Sequence, residues 1–363
     1  MRDGRRYYGV GWLKSRLRST RLYPKLLQLE KIPFYTGRAS RPHASAGKFC
    51  VSPWTESAIL CDGTVVCSCY DALGTMPLGN VTDSSFESVW RGKRYRRLRK
   101  AVLAGAENVY LCSSCCFQCP RPSAETLERE FALEPECLPK RLHVEPTVRC
   151  NLRCTACCTA LAKHARNVPD MPYDTFCRIM DEMAPHLEQL NLYDYGESFI
   201  HPRATDMIRY AKSLKPGLKV ACSTNGHFFQ TPESQRAIVS SGADEIIFSL
   251  DGASQETYGK YRIGGRFEVV VDAMKALVAM KRELGLDKPA VIWRYILFNW
   301  NDSDEEMDRA RALAREIGVD DLCWLLTDMP ADGYSTRFVP GSPDLDRIKH
   351  ELHADCRYPQ ESG

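Results

Sequence analysis

The chain has 363 residues, 44% of them apolar, with 17 cysteines and a formal net charge of +3. That length leaves room for two domains and a sizeable core, and so small a net charge gives no reason to expect a nucleic-acid partner. No apolar run approaches the roughly 18 residues of a membrane-spanning helix, no N-terminal stretch reads as a signal peptide, and many cysteines without a secretion signal point to metal in a reducing cytoplasm rather than to disulfides.

Residues 1–48 form a basic segment, with Arg2, Arg5, Arg6, Lys14, Arg16, Arg18, Arg21 and Lys25 interleaved with Trp12, Leu13, Leu17 and Leu22. Such a pattern suits a membrane surface, an anionic partner or packing on the rest of the chain. Pro24 and Pro33 break it into short pieces, and no function is assigned to it.

Residues 49–120 form a Cys-rich block. The Asp62-Gly63 turn between short apolar stretches predicts a hairpin, and the pattern over 84–103 predicts a helix. Cys50, Cys61, Cys67 and Cys69 precede that helix; Cys112, Cys115, Cys116 and Cys119 follow it. Two Cys groups around one helix predict a folded metal knot, with a structural zinc knot as the alternative. Residues 121–139 read as a linker, with Pro122, Pro135 and Pro139 around an acidic helical stretch.

Residues 140–330 alternate between apolar and amphipathic runs. Strands are predicted at 142–148, 189–195, 218–223, 245–250, 290–298 and 321–327. Helices are predicted at 173–187, 203–213, 233–241, 266–284 and 303–317. This alternation predicts parallel β/α units. Six units suit an α/β fold with a partial (β/α)6 barrel, since a full eight-unit barrel needs about 250 residues. In such folds the chemistry sits at the C-terminal ends of the strands. The tail, 331–363, is rich in turn residues; its Arg337, Lys349 and Arg357 are candidates for holding an anionic group.

Cys150, Cys154 and Cys157 form C-x3-C-x2-C within Glu-Pro-Thr-Val-Arg-Cys-Asn-Leu-Arg-Cys-Thr-Ala-Cys. Three thiolates so close on one loop can hold three irons of a [4Fe-4S] cube and leave the fourth iron for a non-protein ligand, whereas a ferredoxin closes that position with another Cys. A zinc site would more often show two pairs of ligands. Downstream, the predicted strands end in Tyr193-Asp194-Tyr195-Gly196-Glu197, Ser223-Thr224-Asn225-Gly226 and Ser249-Leu250-Asp251-Gly252. Each is an ordinary turn signal alone; their recurrence at successive strand ends is specific.

On these residues the chain resembles the radical S-adenosylmethionine (SAM) enzymes. The resemblance implies that Cys150, Cys154 and Cys157 hold a SAM-binding [4Fe-4S] cluster. It implies that Gly196 and Glu197 contact the SAM amino group, and that Ser223, Asn225 and Ser249 line its methionyl and ribose groups. Arg262, in Tyr261-Arg262-Ile263-Gly264-Gly265, and Arg294 compete as partners of the SAM carboxylate. Ala156 stands where the family often has an aromatic residue, so adenine stacking must come from elsewhere. Cys158 reads as a packing residue or a labile thiol.

The Cys-rich block, with Pro53-Trp54, Asp62-Gly63, Leu78-Gly79-Asn80 and Trp90, resembles the SPASM-type auxiliary iron-sulfur domain, here placed before the barrel instead of after it. Cys50, Cys67, Cys112 and Cys115 are its expected ligands, with Cys69, Cys116 and Cys119 in reserve. The implied chemistry is reductive cleavage of SAM to methionine and a 5′-deoxyadenosyl radical, which takes a hydrogen atom from a substrate carbon. Oxidation or epimerisation would follow, so an oxidoreductase or epimerase is expected. For epimerisation Cys222 and Cys323 are candidate hydrogen donors. A flavodoxin- or ferredoxin-type reductant is the expected partner. A sugar-like or other small polar metabolite is the expected substrate; a ribosomal peptide or protein is the alternative. A non-catalytic iron-sulfur carrier and a zinc-knot interaction protein are the readings from other classes.

Overall fold

A computed structural model describes residues 48–68, 71–106, 109, 111, 112, 119–327, 330, 332–339 and 341–353. The strands are β1 (Lys48–Phe49), β2 (Glu56–Ile59), β3 (Thr64–Val66), β4 (Gly79–Asn80), β5 (Cys119–Pro120), β6 (Arg141–Val144), β7 (Gln189–Asn191), β8 (Lys219–Thr224), β9 (Glu245–Ser249), β10 (Ala290–Leu297) and β11 (Asp321–Leu326). All but β1 and β5 form one sheet in the order β11-β10-β9-β8-β7-β6-β2-β3-β4.

The six predicted strands, β6 to β11, pair in parallel and in chain order. A further strand then joins them from the Cys-rich block. β2 pairs in parallel with β6 (Glu56 beside Arg141, Ile59 beside Val144). The Asp62-Gly63 hairpin continues outwards as antiparallel β3 and β4. The N-terminal block therefore extends the barrel sheet, and one core cluster runs from Trp54 and Val65 through Leu142 to Trp324.

Strand alternation explains which residues face the site. In β10, Val291, Trp293, Tyr295 and Leu297 are buried, while Ile292, Arg294 and Ile296 are half-buried. This is a period of two: the buried set lies under the helices and the other set faces inwards. Helix Phe267–Glu283 supplies the matching stripe, Phe267, Val270, Val271, Met274, Leu277 and Val278, with helical spacing. Serine and threonine caps define several starts: Ser254, Ser303 and Thr231 each accept from the backbone N–H three residues on.

Three segments depart from expectation. The helix expected over 84–103 is two helices, Phe86–Trp90 and Lys93–Ala104. The chain turns at Gly92, where a Cβ would lie 2.9 Å from the Val89 carbonyl. The stretch 121–139 packs instead of merely connecting. Phe131 stands edge-on to Phe49 at 4.8 Å and to Trp54 at 5.2 Å. The tail caps the sheet edge through helix Pro343–Ile348, and Glu351 accepts from Trp324 Nε1 at 2.7 Å. Its Arg337 is taken by Asp304 and Asp344, and Lys349 by Asp346. Those two cations are thus neutralised by their own surface and do not form an anion site; Arg357 lies outside the described residues.

Candidate functional site

The Cys150–Cys157 loop leaves the C-terminal end of β6 and is held on every side. At its start Glu145 and Arg166 form a buried ion pair through both carboxylate oxygens, at 2.8 and 3.0 Å. Glu145 also accepts the Cys61 backbone N–H at 2.9 Å, which ties the end of β2 to the loop. Arg149 grips Asp170 bidentately, at 3.0 and 2.7 Å. On the far side, Arg153 and Thr155 donate their backbone N–H groups to the carbonyls of Ile263 and Tyr261. The Tyr261–Gly265 segment is therefore the wall of the Cys loop.

Donors surround the thiols. Leu152 N–H lies 3.4 Å from Cys150 Sγ, Asn225 Nδ2 lies 3.8 Å from the same sulfur, and Arg262 Nη1 lies 3.8 Å from Cys154 Sγ. Burial pushes the Cys150 thiol up to about 11, against the Leu152 hydrogen bond, with Glu197, Cys154 and Cys157 adding to it. Cys154 is also raised by burial, with Arg262 opposing. Such thiols would lose their protons to solvent on binding iron, and donors aimed at sulfur would stabilise the thiolate charge. The donor chemistry of the loop, three thiols with N–H donors beside two of them, is that of an iron-sulfur site. Gly196 completes the cradle: its φ is +97°, and a Cβ there would lie 2.2 Å from the Thr147 carbonyl. Only glycine lets the end of β7 lie against that backbone.

Several expected SAM contacts turn inwards instead. Glu197 is 2% exposed. Its Oε1 accepts from Thr224 Oγ1 at 2.8 Å and its Oε2 from Asn225 N–H at 2.6 Å. Burial pushes it up to about 7, against the hydrogen bonds from Asn225, Thr224 and Phe199. It links the loop after β7 to the end of β8. Asn225 is 5% exposed, and its amide donates to Asn151 Oδ1 at 2.7 Å. Both residues hold the Cys loop from behind.

The two arginines separate cleanly. Arg262 Nε is paired with Asp251, a fully buried carboxylate, at 2.5 Å. Arg294 faces inwards from β10. Its Nη2 donates to Ser223 Oγ at 2.9 Å and Ser249 Oγ at 3.0 Å. Its Nε is buried without a partner, and among the described residues no carboxylate pairs with it. Arg294 is thus a half-buried cation held, among the described residues, only by the neutral groups of Ser223 and Ser249.

The candidate hydrogen donors differ by face. Cys222 is fully buried and alternates with Ser223, so it lies on the helix-covered side; the expectation that it serves the inner site is corrected by strand parity. Cys323 pairs in register with Arg294 and shares its face, though buried against the Trp293 carbonyl at 3.7 Å. Cys158 is exposed at the start of helix Thr159–Ala165, so it is not a packing residue.

In the N-terminal block, Cys50, Cys67 and Cys112 line one cavity with Ser52, Pro53, Asp71 and Leu98. Cys69, Cys115 and Cys116 lie outside the described residues. Cys119 is placed by its backbone alone, paired in register with Phe49 beside Cys50. Cys61 stands apart, buried and donating to the Val168 carbonyl. Cys50 precedes β2 and Cys67 follows antiparallel β3, so both lie towards the end of β2 opposite Cys61. Among the described residues no three Cys, His, Asp or Glu side chains gather round a single ion position. Thiols are the donor type that an iron-sulfur cluster takes.

Residues 144–325 match the radical SAM superfamily, and residues 50–119 match SPASM, an iron-sulfur cluster-binding domain. The chain belongs to the radical SAM superfamily. A SAM-binding [4Fe-4S] cluster and an auxiliary iron-sulfur cluster go with these two domains. Among similar proteins is the tungsten-containing aldehyde ferredoxin oxidoreductase cofactor-modifying protein of Pyrococcus furiosus. It is 31% identical over 225 residues, or 59% of each chain. The AdoMet-dependent heme synthase of Methanosarcina barkeri is 29% identical over 50% of this chain and 48% of its own. The mycofactocin maturase MftC of Mycobacterium ulcerans is 28% identical over 37% of this chain and 35% of its own. The chain thus spans about half to three-fifths of the first two relatives. No helix among the described residues is long and apolar enough to cross a membrane.

Sequence reasoning gave no role to Asn151, Arg166, Asp170 or Asp251, two of which lie inside quoted motifs. Each acts through a partner 11 to 74 positions away, which a motif does not identify.

Proposed function

We propose that this radical SAM enzyme is a maturase that modifies a ribosomally made peptide or a protein. The observation that carries this reading is the rim of the site. Among the described residues the exposed large apolar side chains include Val168 (38%), Ile263 (46%) and Tyr334 (40%). Val168 follows the Cys loop, Ile263 belongs to its wall, and Tyr334 lies on the loop bridged to Phe298 at the end of β10. In this reading these apolar groups, on loops beyond the strand ends, contact a chain-like substrate. The similarity to a maturase supports the same reading, and none of the three relatives is named for a sugar-like substrate such as the one expected from the sequence.

In this reading Cys150, Cys154 and Cys157 hold the first cluster, and Cys50, Cys67 and Cys112, with Cys115 or Cys119, hold the second. When bound, the first cluster supplies the electron that cleaves SAM. Arg294, Ser223 and Ser249 fix the SAM carboxylate, and Gly196 leaves room for its amino group. Glu197 and Asn225 hold the Cys loop at its set distance from these groups. The polar inner face below, where His143 and Asn191 share a hydrogen bond at 3.2 Å, orients the reacting residue. A flavodoxin- or ferredoxin-type protein delivers the electron.

The test uses extract from the source organism grown in heavy water, separated by ultrafiltration into macromolecular, peptide and metabolite fractions. Each is incubated with reduced holoenzyme and unlabelled SAM. Deuterium in 5′-deoxyadenosine from the macromolecular or peptide fraction supports the maturase reading. Deuterium from the metabolite fraction alone contradicts it.

A further inference from the structure

Arg99 lies in helix Lys93–Ala104, beside the cavity of Cys50, Cys67 and Cys112. It is 0% exposed. Its guanidinium stacks on Trp90 at 4.4 Å and on Tyr95 at 4.8 Å. Nε donates to the Pro53 carbonyl at 3.0 Å, and Nη1 donates to the carbonyls of Trp90 and Leu133 at 3.0 and 3.2 Å. Nη2 is buried with no partner. Among the described residues no carboxylate pairs with this side chain. A buried charge held only by neutral groups is costly unless an anion lies close by.

The neighbourhood shows where that anion belongs. Pro53, whose carbonyl takes Nε, lines the cavity, and so does Leu98, next to Arg99 in the chain. Burial pulls the guanidinium down to about 10, and Tyr95 and Cys67 are the groups that pull it back. Tyr95 is neutral at ordinary pH, with its hydroxyl bonded to Ser57 Oγ at 2.7 Å. Two sources of negative charge line the cavity: Asp71, whose carboxylate already accepts from Thr75 and the Met76 N–H, and the thiolate set. A cluster held by thiolates carries net negative charge, which grows by one unit on reduction.

We propose that Arg99 is the fixed counter-charge of the auxiliary cluster, a positioning residue that raises its reduction potential and strengthens its retention. The inference rests on the reading of the cavity as a cluster site. A cation favours the more negative, reduced form, and it acts strongly where water is excluded.

The test uses the full chain carrying Cys150→Ala, Cys154→Ala and Cys157→Ala, so that only the auxiliary cluster remains. Potentiometric titration followed by electron paramagnetic resonance reads its potential. Arg99→Gln should shift the potential to a more negative value, and Arg99→Lys should hold it near that of Arg99. A second reading is the gain in unfolding temperature on iron-sulfur reconstitution, which should be smaller for Arg99→Gln than for Arg99. A loaded Arg99→Gln chain with unmoved potential and equal gain overturns the proposal. If Arg99→Gln gives no soluble chain, Arg99→Met, which keeps an apolar stem against Trp90 and Tyr95 without the charge, decides: a more negative potential supports the proposal, and an unmoved potential overturns it. If the chain with Arg99 intact binds no iron, the reading of the cavity itself fails, which is a different outcome from iron bound at an unmoved potential.

Discussion

Asn225, at the end of β8, donates its side-chain amide to Asn151 Oδ1 at 2.7 Å, one residue past Cys150. The same nitrogen lies 3.8 Å from Cys150 Sγ. A strand end 75 positions downstream thus sets the place of the first thiol. Behind it, Glu197 accepts the Asn225 backbone N–H at 2.6 Å, so the segments after two successive strands, β7 and β8, hold one loop.

Asn225→Ala should leave the chain folded and iron-loaded but weaken SAM binding. One buried hydrogen bond contributes about 1–1.5 kcal/mol, close to a tenfold change in Kd. Calorimetric titration of SAM into the reconstituted chain measures it, with iron content as the control. An unchanged Kd would show that the loop is held without this amide.

Arg262 and Asp251 supply a stability prediction. Asp251 is fully buried; besides Arg262 it accepts the Ile296 N–H at 2.8 Å and its carbonyl takes Asn301 Nδ2 at 3.1 Å. Arg262→Met strands a buried carboxylate and should destabilise the chain by about 3–5 kcal/mol. Arg262→Met with Asp251→Asn should recover part of this loss. Chemical denaturation of the iron-free chains measures both, and equal stability of the single and double variants would argue against the pairing.

Arg294 calls for a binding cycle. With no ion pair to lose, Arg294→Gln should fold normally and bind SAM about tenfold or more weakly, as loss of a charge-assisted bond implies. Decarboxylated SAM should bind the wild-type and variant chains equally, since it lacks the carboxylate. An equal loss for both compounds would move Arg294 from the carboxylate to another contact.

Much of this site is legible in the chain because its signals are local. The C-x3-C-x2-C triplet lies on one loop, and strand and helix periods are written in adjacent residues, so β8 to β11 fall where predicted, while β6 and β7 begin there but stop early, at Val144 and Asn191. The inward turn of Glu197 and Asn225 is not legible. A motif places a residue at a strand end, but burial and partners decide whether it faces ligand or core. Strand parity likewise separates Cys222 from Cys323, and a one-residue difference in register decides it. The joining of β2 to β6 was hidden for a further reason: β2 is four residues long, too short to show a period of its own. Its pairing depends on Glu145 meeting Cys61, a contact across 84 positions.

The central claim is that the Cys150–Cys157 loop holds the cluster that cleaves SAM while a second cluster resides in the N-terminal block. Iron content and 5′-deoxyadenosine, measured together in the reconstituted wild-type chain and in the Cys150→Ala, Cys154→Ala, Cys157→Ala chain, test it most directly. The wild-type chain should carry about eight irons, as two cubes require, and release 5′-deoxyadenosine when reduced with SAM. The triple variant should lose about half its iron and all 5′-deoxyadenosine. Unchanged iron in the variant, or 5′-deoxyadenosine still released by it, would contradict the account.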